Sequence, residues 1–303
     1  MTCEQTIRST VECNGIGLHG GAPVSMRLNP APSGAGIVFR RLDLDGFEIE
    51  AISRNVARVS YATSLMKKGV LISTTEHLLS AFVGMGIDNA IVELDNLELP
   101  ILDGSALPFV ELIQKAGIRR QRRPRKYLRI LRGIEMREGN KYISVEPANA
   151  YSVAYSINFP HPLIGKETFE LELSNDNYLR QIAPARTFGS RADEKAMRNM
   201  GLIRGASRDN CIVLTRDGLE NGPLRFPDEF VRHKVLDLVG DLALLGKPIL
   251  GKIVADRAGH AMHTALVSRI LRDKTLWEEV TLREQESESS IPYAAHASAG
   301  SAL

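Results

Sequence analysis

Residues 73–95 read STTEHLLSAFVGMGIDNAIVELD, and the segment changes period halfway along. Leu78, Leu79, Phe82 and Val83 recur at helical spacing after a Ser-Thr-Thr-Glu start, where a hydroxyl side chain can cap a helix. Gly84 or Gly86 ends that helix, and AIVELD then reads as a strand. Helix and strand in direct succession point to a mixed fold.

Working outward, Val24, Met26 and Leu28 alternate with polar residues, and Ile37, Val38 and Phe39 follow a turn-rich NPAPSGAG, so residues 5–60 read as mostly β. Downstream, Pro100 to Pro108 reads as a loop, and Phe109, Val110, Leu112 and Ile113 as a helix that stops at Gly117. The stretch RRQRRPRK (119–126) offers no apolar residue to a core, which marks residues 121–127 as a basic linker between a domain 1–120 and a domain 128–283. The second half repeats the scheme: strands in YLRILRGIEM, KYISVEP, YSVAYSINF and ILGKIVADR, and helices at 228–246 and 259–273. The two halves therefore share one mixed scheme of strands and helices. Residues 284–303 are small and polar and are expected to be a disordered tail.

A chain of 303 residues has room for two cores. Its net charge of +2 creates no field that would hold a polyanion over a whole face, so nucleic acid could engage only the local basic run. That run lacks interleaved stacking aromatics, and a solvated linker explains it as well; no nucleic-acid partner is expected. Cys3, Cys13 and Cys211 form no metal-binding or paired pattern and read as free thiols in a reducing compartment. MTCEQTIRST lacks the features of a secretory signal, and the longest apolar runs, such as Leu242 to Leu245, are a turn or so long. A cytoplasmic protein with no integral membrane contact is expected.

Three segments carry candidate chemistry. In RHKVLDLVGD (232–241), His233 and Asp237 stand four apart on a helix, and Asp241 extends their face by one turn. Alone, that spacing fits a surface hydrogen bond as well as a metal pair. In TTEHLL (74–79), Glu76 and His77 sit at the start of an apolar helix, where Glu76 either complements the helix terminus or serves a site. In DRAGHA (256–261), His260 follows a glycine at a strand-to-helix junction of the kind that faces clefts. His263, three residues on, reads as an ordinary helix-surface residue. Taken together, His77, His233 and Asp237 are candidate ligands, an inventory that fits the three nitrogen or oxygen donors a catalytic zinc needs, and Glu76 and His260 remain as a candidate acid/base pair. The peptidase motif HExxH is absent.

TTEHLLSAF (74–82), LPILDGSALPFV (99–110), ARTFG (185–189), DEFVRHKVLDLVGDL (228–242) and GHAMHT (259–264) resemble, in order, the UDP-3-O-acyl-N-acetylglucosamine deacetylases. The resemblance implies a zinc-dependent amidohydrolase of lipid A synthesis that removes the acetyl group from a UDP-linked, 3-O-acylated glucosamine. It implies zinc, or iron in its place, on His77, His233 and Asp237, with Glu76 as base and His260 as acid. Asp241 then orients His260, Thr187 stabilises the oxyanion, and Lys234 and Phe188 contact substrate. It also implies an α+β fold class of two layered sheet-and-helix domains with the active site in the cleft between them; a monomer is expected. An insert near residues 190–215 is expected to form an apolar acyl-chain passage, with Met200, Leu202, Ile203 and Val213 supplying the surface. Ser190 replaces an apolar residue and Ala22 a basic one relative to that pattern. A non-enzymatic nucleotide-sugar or nucleic-acid binding protein is the competing reading.

Overall fold

The computed structural model describes residues 2–57 and 61–282. The tail expected to be disordered lies outside the described residues. The first half runs β1 (Cys3–Ile7), β2 (Val11–Ile16), β3 (Pro23–Pro30), β4 (Ile37–Arg41), β5 (Phe47–Glu50), β6 (Leu65–Lys67), β7 (Val70–Ile72), α1 (Glu76–Gly84), β8 (Ala90–Leu94), α2 (Leu107–Ala116) and β9 (Ile118–Pro124). The second runs β10 (Lys126–Ile130), β11 (Ile134–Glu138), β12 (Lys141–Glu146), β13 (Tyr151–Phe159), β14 (Gly165–Glu172), α3 (Asn175–Gln181), β15 (Phe188–Ser190), α4 (Arg191–Asn199), β16 (Ile212–Leu214), α5 (Glu229–Leu242), β17 (Ile249–Asp256), α6 (His260–Arg272) and β18 (Trp277–Thr281). The chain is mixed α+β.

Two larger sheets divide these strands by sequence. A five-stranded sheet, β2-β3-β8-β4-β5, takes its strands from the first half, and a seven-stranded sheet built around β17 takes its strands from the second. β3 shows why: Val24, Met26 and Leu28 are buried while their neighbours are exposed, the period-2 pattern of a strand with one covered face. β17 pairs antiparallel with β12 and parallel with β10 and β13, and is accordingly buried along most of its length. One continuous apolar core links both halves, with Phe82 of α1, Phe109 of α2 and Phe230 of α5 each at most 1% exposed. Each such side chain contributes about 2–3 kcal/mol of burial.

Helices α1 and α5 cross where the site forms. Gly240 permits the crossing, since a Cβ added there would lie 2.0 Å from the Glu76 carbonyl oxygen. Thr75 precedes α1 but does not cap it; its hydroxyl donates to the Thr63 carbonyl oxygen at 3.1 Å. The expected linker is a strand instead: β9 pairs antiparallel with β1. It is held by polar contacts, because Gln121 meets Asn89 and the Ala31 carbonyl while Arg125 bonds Asp88 at 2.8 Å. YLRILRGIEM, read as one strand, divides into β10 and β11. No helix among the described residues is long and apolar enough to cross a membrane.

Candidate functional site

One cavity of about 470 Å³ is lined by Glu76, His77, Thr187, Phe188, His233, Lys234, Asp237 and His260. Eight of the nine residues singled out from the sequence therefore face the same space. The ninth, Asp241, is fully buried beneath it. Four elements deliver them: the first turn of α1, the loop and short strand at 187–188, the middle of α5, and the first residue of α6.

His77, His233 and Asp237 have ligand atoms that all lie within 4.8 Å of one another. Asp237 Oδ1 is 3.7 Å from His77 Nε2 and 3.4 Å from His233 Nε2, with the two rings edge to face at 5.1 Å. A tetrahedral ion with ligand bonds of about 2.0–2.2 Å holds its ligand atoms roughly 3.3–3.6 Å apart, so the trio is spaced for one small divalent cation. The tautomers agree with that use. His233 Nδ1 donates to the Ala185 carbonyl oxygen at 3.1 Å, which leaves the Nε2 lone pair directed at the site. His77 Nδ1 is buried without a partner, a costly arrangement unless a ligand engages the ring.

Electrostatics keep the trio ready to bind a cation. Burial, followed by the neighbouring His233, lowers His77 to about 3, so its imidazole stays neutral. Burial acts to raise Asp237, but Lys234 and the surrounding imidazoles outweigh it and hold the carboxyl well below its ordinary range. Lys234 Nζ lies 2.7 Å from Asp237 Oδ2 and 5.7 Å from the centroid of the Phe188 ring. The lysine thus has a carboxylate partner that the sequence did not reveal.

Glu76 and His260 form the second part of the site. Burial pushes Glu76 up to about 7, against the opposing pull of His260. Its Oε2 accepts the Thr63 backbone N–H at 3.0 Å, and its Oε1 lies 4.0 Å from His260 Nε2. Burial works to lower His260, yet the adjoining Asp241 carboxylate prevails and raises it to about 9. Asp241 Oδ2 meets His260 Nδ1 at 2.7 Å, and Oδ1 accepts the Thr63 hydroxyl at 2.5 Å.

Sequence reading missed three supporting groups. His263 is not on the surface; it is wholly buried, with Nδ1 2.8 Å from Asp241 Oδ2. Its signal was available, because His263 shares the apolar stripe of Leu266, Val267 and Ile270 on α6. Thr63 joins Glu76 to Asp241 from a segment with no motif. Glu229, fully buried at the start of α5, accepts Arg186 N and Nε at 3.0 and 2.9 Å, and this fixes the loop that carries Thr187 and Phe188. In the insert, Ile203 and Val213 line the cavity, whereas Met200 is 57% exposed and α4 buries none of its residues.

The comparisons with known proteins identify the family. The family model described as UDP-3-O-acyl N-acetylglycosamine deacetylase matches residues 4–272. A UDP-3-O-acyl-N-acetylglucosamine deacetylase of Solibacter usitatus is 55% identical over 288 residues, 95% of this chain and 97% of that relative. Proteins of the same name from Anaeromyxobacter sp. and Myxococcus xanthus are 44% and 43% identical over 95% and 94% of this chain, and over 94% and 91% of their own lengths. The family match takes in every residue that faces the cavity, and the relatives match nearly end to end. The chain belongs to the UDP-3-O-acyl N-acetylglycosamine deacetylase family.

Proposed function

We propose that this chain is a zinc-dependent amidase acting in the cytoplasm as a monomer, and that it hydrolyses the acetamide of a UDP-3-O-acyl-N-acetylglucosamine. Acetate and the free amine are the products, destined for lipid A. The observation that carries the reading is the placement of Glu76 and His260 4.0 Å apart, beside a trio spaced for one cation. His77, His233 and Asp237 would hold the zinc, or iron in its place. Zinc bound there supplies Lewis acidity, polarising a carbonyl and making a water easier to deprotonate.

The chain's own groups handle the protons. Glu76, raised toward neutrality in its buried site, accepts a proton from the attacking water as that water bonds to the amide carbon. His260, held protonated at Nε2 by Asp241 on its other nitrogen, delivers a proton to the leaving nitrogen as the C–N bond breaks. The Thr187 backbone is held by Gly104 and Ile212, at 2.8 Å each, so its hydroxyl is placed to donate to the developing oxyanion. Lys234 and Phe188 present a cation and a ring face to the diphosphate and sugar. The 190–215 insert receives the acyl chain against Ile203 and Val213. On this reading the cavity is a cleft between an N-terminal domain and a C-terminal domain.

The test is metal content together with acetate release from the UDP-linked substrate. Native protein should carry one zinc and turn over. His77→Ala and Asp237→Ala should lose the zinc, and His260→Ala should keep it while kcat falls about 10²–10⁴-fold. Native protein that binds no metal and releases no acetate would leave only nucleotide-sugar binding.

A further inference from the structure

His263 is a fully buried histidine to which nothing above assigns a task. It sits on a hydrogen-bonded path. Nδ1 lies 2.8 Å from Asp241 Oδ2, the same oxygen that meets His260 Nδ1, and Nε2 lies 3.0 Å from the Tyr155 hydroxyl. The hydroxyl of Tyr155, a residue 1% exposed, lies 2.7 Å from the Ala258 carbonyl oxygen as well as 3.0 Å from Nε2, so its proton is shared between these two acceptors while His263 keeps its own proton on Nδ1. Ala258 stands two residues before His260, so the path ends beside the other histidine that shares Asp241.

A carboxylate turns easily about its last bond, because the terminal torsion of aspartate is broad and nearly two-fold. One anchor is not enough to fix it. Thr63 holds Oδ1, and if Oδ2 had only His260 as partner, the two groups could turn together. His263 supplies an immovable donor to Oδ2, since its far nitrogen is tied to Tyr155 and no water reaches either ring atom. We propose that His263, backed by Tyr155, is a positioning residue for the hydrolysis: it locks the Asp241 carboxylate in the orientation that aims His260 Nε2 into the cavity. The inference rests on the assignment of His260 as proton donor made above.

A residue that only filled space would be replaced well by an apolar side chain of similar volume, so the informative pair is His263→Leu and His263→Asn. Asparagine puts an amide nitrogen near the place of Nδ1; leucine puts none there. His263→Leu is expected to keep its zinc and its KM while kcat falls about 10- to 100-fold. His263→Asn should return kcat to within about threefold of native, and His263→Leu should add less than about twofold to the loss in a His260→Ala background, because both act through one path. A leucine variant with native kcat, an asparagine variant no better than leucine, or losses that multiply in the double variant would each overturn the proposal. Should His263→Leu fail to fold, Tyr155→Phe asks the same question: a lower kcat at unchanged KM supports it, and a native kcat overturns it. If native protein turns over no substrate, the deacetylase reading has failed separately. The imidazole N–H resonance of His260 then decides, since loss of its exchange protection in His263→Asn or Tyr155→Phe alike, or in neither, contradicts a lock that asparagine restores and phenylalanine does not.

Discussion

Glu76 and Asp241 are 3% and 0% exposed, and their carboxyl groups are displaced in opposite directions. Burial dominates Glu76, which has one backbone N–H on an oxygen and His260 only at 4.0 Å. For Asp241 burial also acts upward, but the His260 and His263 imidazoles at contact distance reverse it. The contrast sets a pH profile. On the proposed roles, Glu76 must be ionised to accept a proton, so the rate is expected to rise as pH climbs through its value near 7, and His260 must be protonated to donate, so the rate is expected to fall above its value near 9. A cation beside both groups favours their deprotonated forms and moves both limbs downward together. The expected kcat/KM profile is a bell with limbs at or below those two values, and His260→Ala should abolish the alkaline limb; a flat profile contradicts the paired roles. At this scale the sequence was informative where spacing encodes geometry. His233 and Asp237 are joined by one helical turn, and Glu76 and His77 by adjacency. Nothing local connects Thr63 to Asp241, 178 positions away, and so that contact was illegible.

Between elements, the decisive approach is that of α1 and α5. Alanine in place of Gly240 favours a helix intrinsically by about 1 kcal/mol. Here a methyl group would meet the Glu76 carbonyl oxygen at 2.0 Å, so helix must move from helix, and overpacking of this kind costs about 1–3 kcal/mol. The overlap outweighs the propensity. Gly240→Ala is therefore expected to lower both Tm and kcat while the chain still folds, measured by calorimetry and acetate release; unchanged kcat would show that Glu76 tolerates displacement. The helices α1, α2, α5 and α6 were legible because each lays an apolar stripe on the core. β9 was not, because a strand held by Gln121 and arginines carries no hydrophobic period. The short β15 and β16 pair with each other, three residues apiece, and leave no pattern long enough to read.

At the level of the whole molecule, the trio spans the chain: His77 comes from the half that builds the five-stranded sheet, His233 and Asp237 from the half that builds the seven-stranded one. A bound cation then ties the halves together and stabilises only the folded form. Stripping the native protein with a chelator should lower Tm, and restoring zinc should recover it, whereas Asp237→Ala should melt at one temperature with or without added zinc. The α+β character agrees with the expectation, as does the strand, helix, strand, helix order from β2 to α2, whereas α3, α4, β14, β15, β16 and β18 were not read from the sequence. How β10, β13 and β12 converge on β17 was not legible either, because register between distant strands depends on contacts that no local pattern specifies.

The same separation of ligands acts during synthesis. His77 leaves the ribosome about 160 positions before Asp237, which at roughly 5–20 residues per second is a delay of about 8–32 seconds. Throughout that interval the nascent chain carries one imidazole of the trio and no means of closing a site around it. On the proposed ligand set, metal capture would be a late event, coupled to the emergence of α5, after about three quarters of the chain has been made.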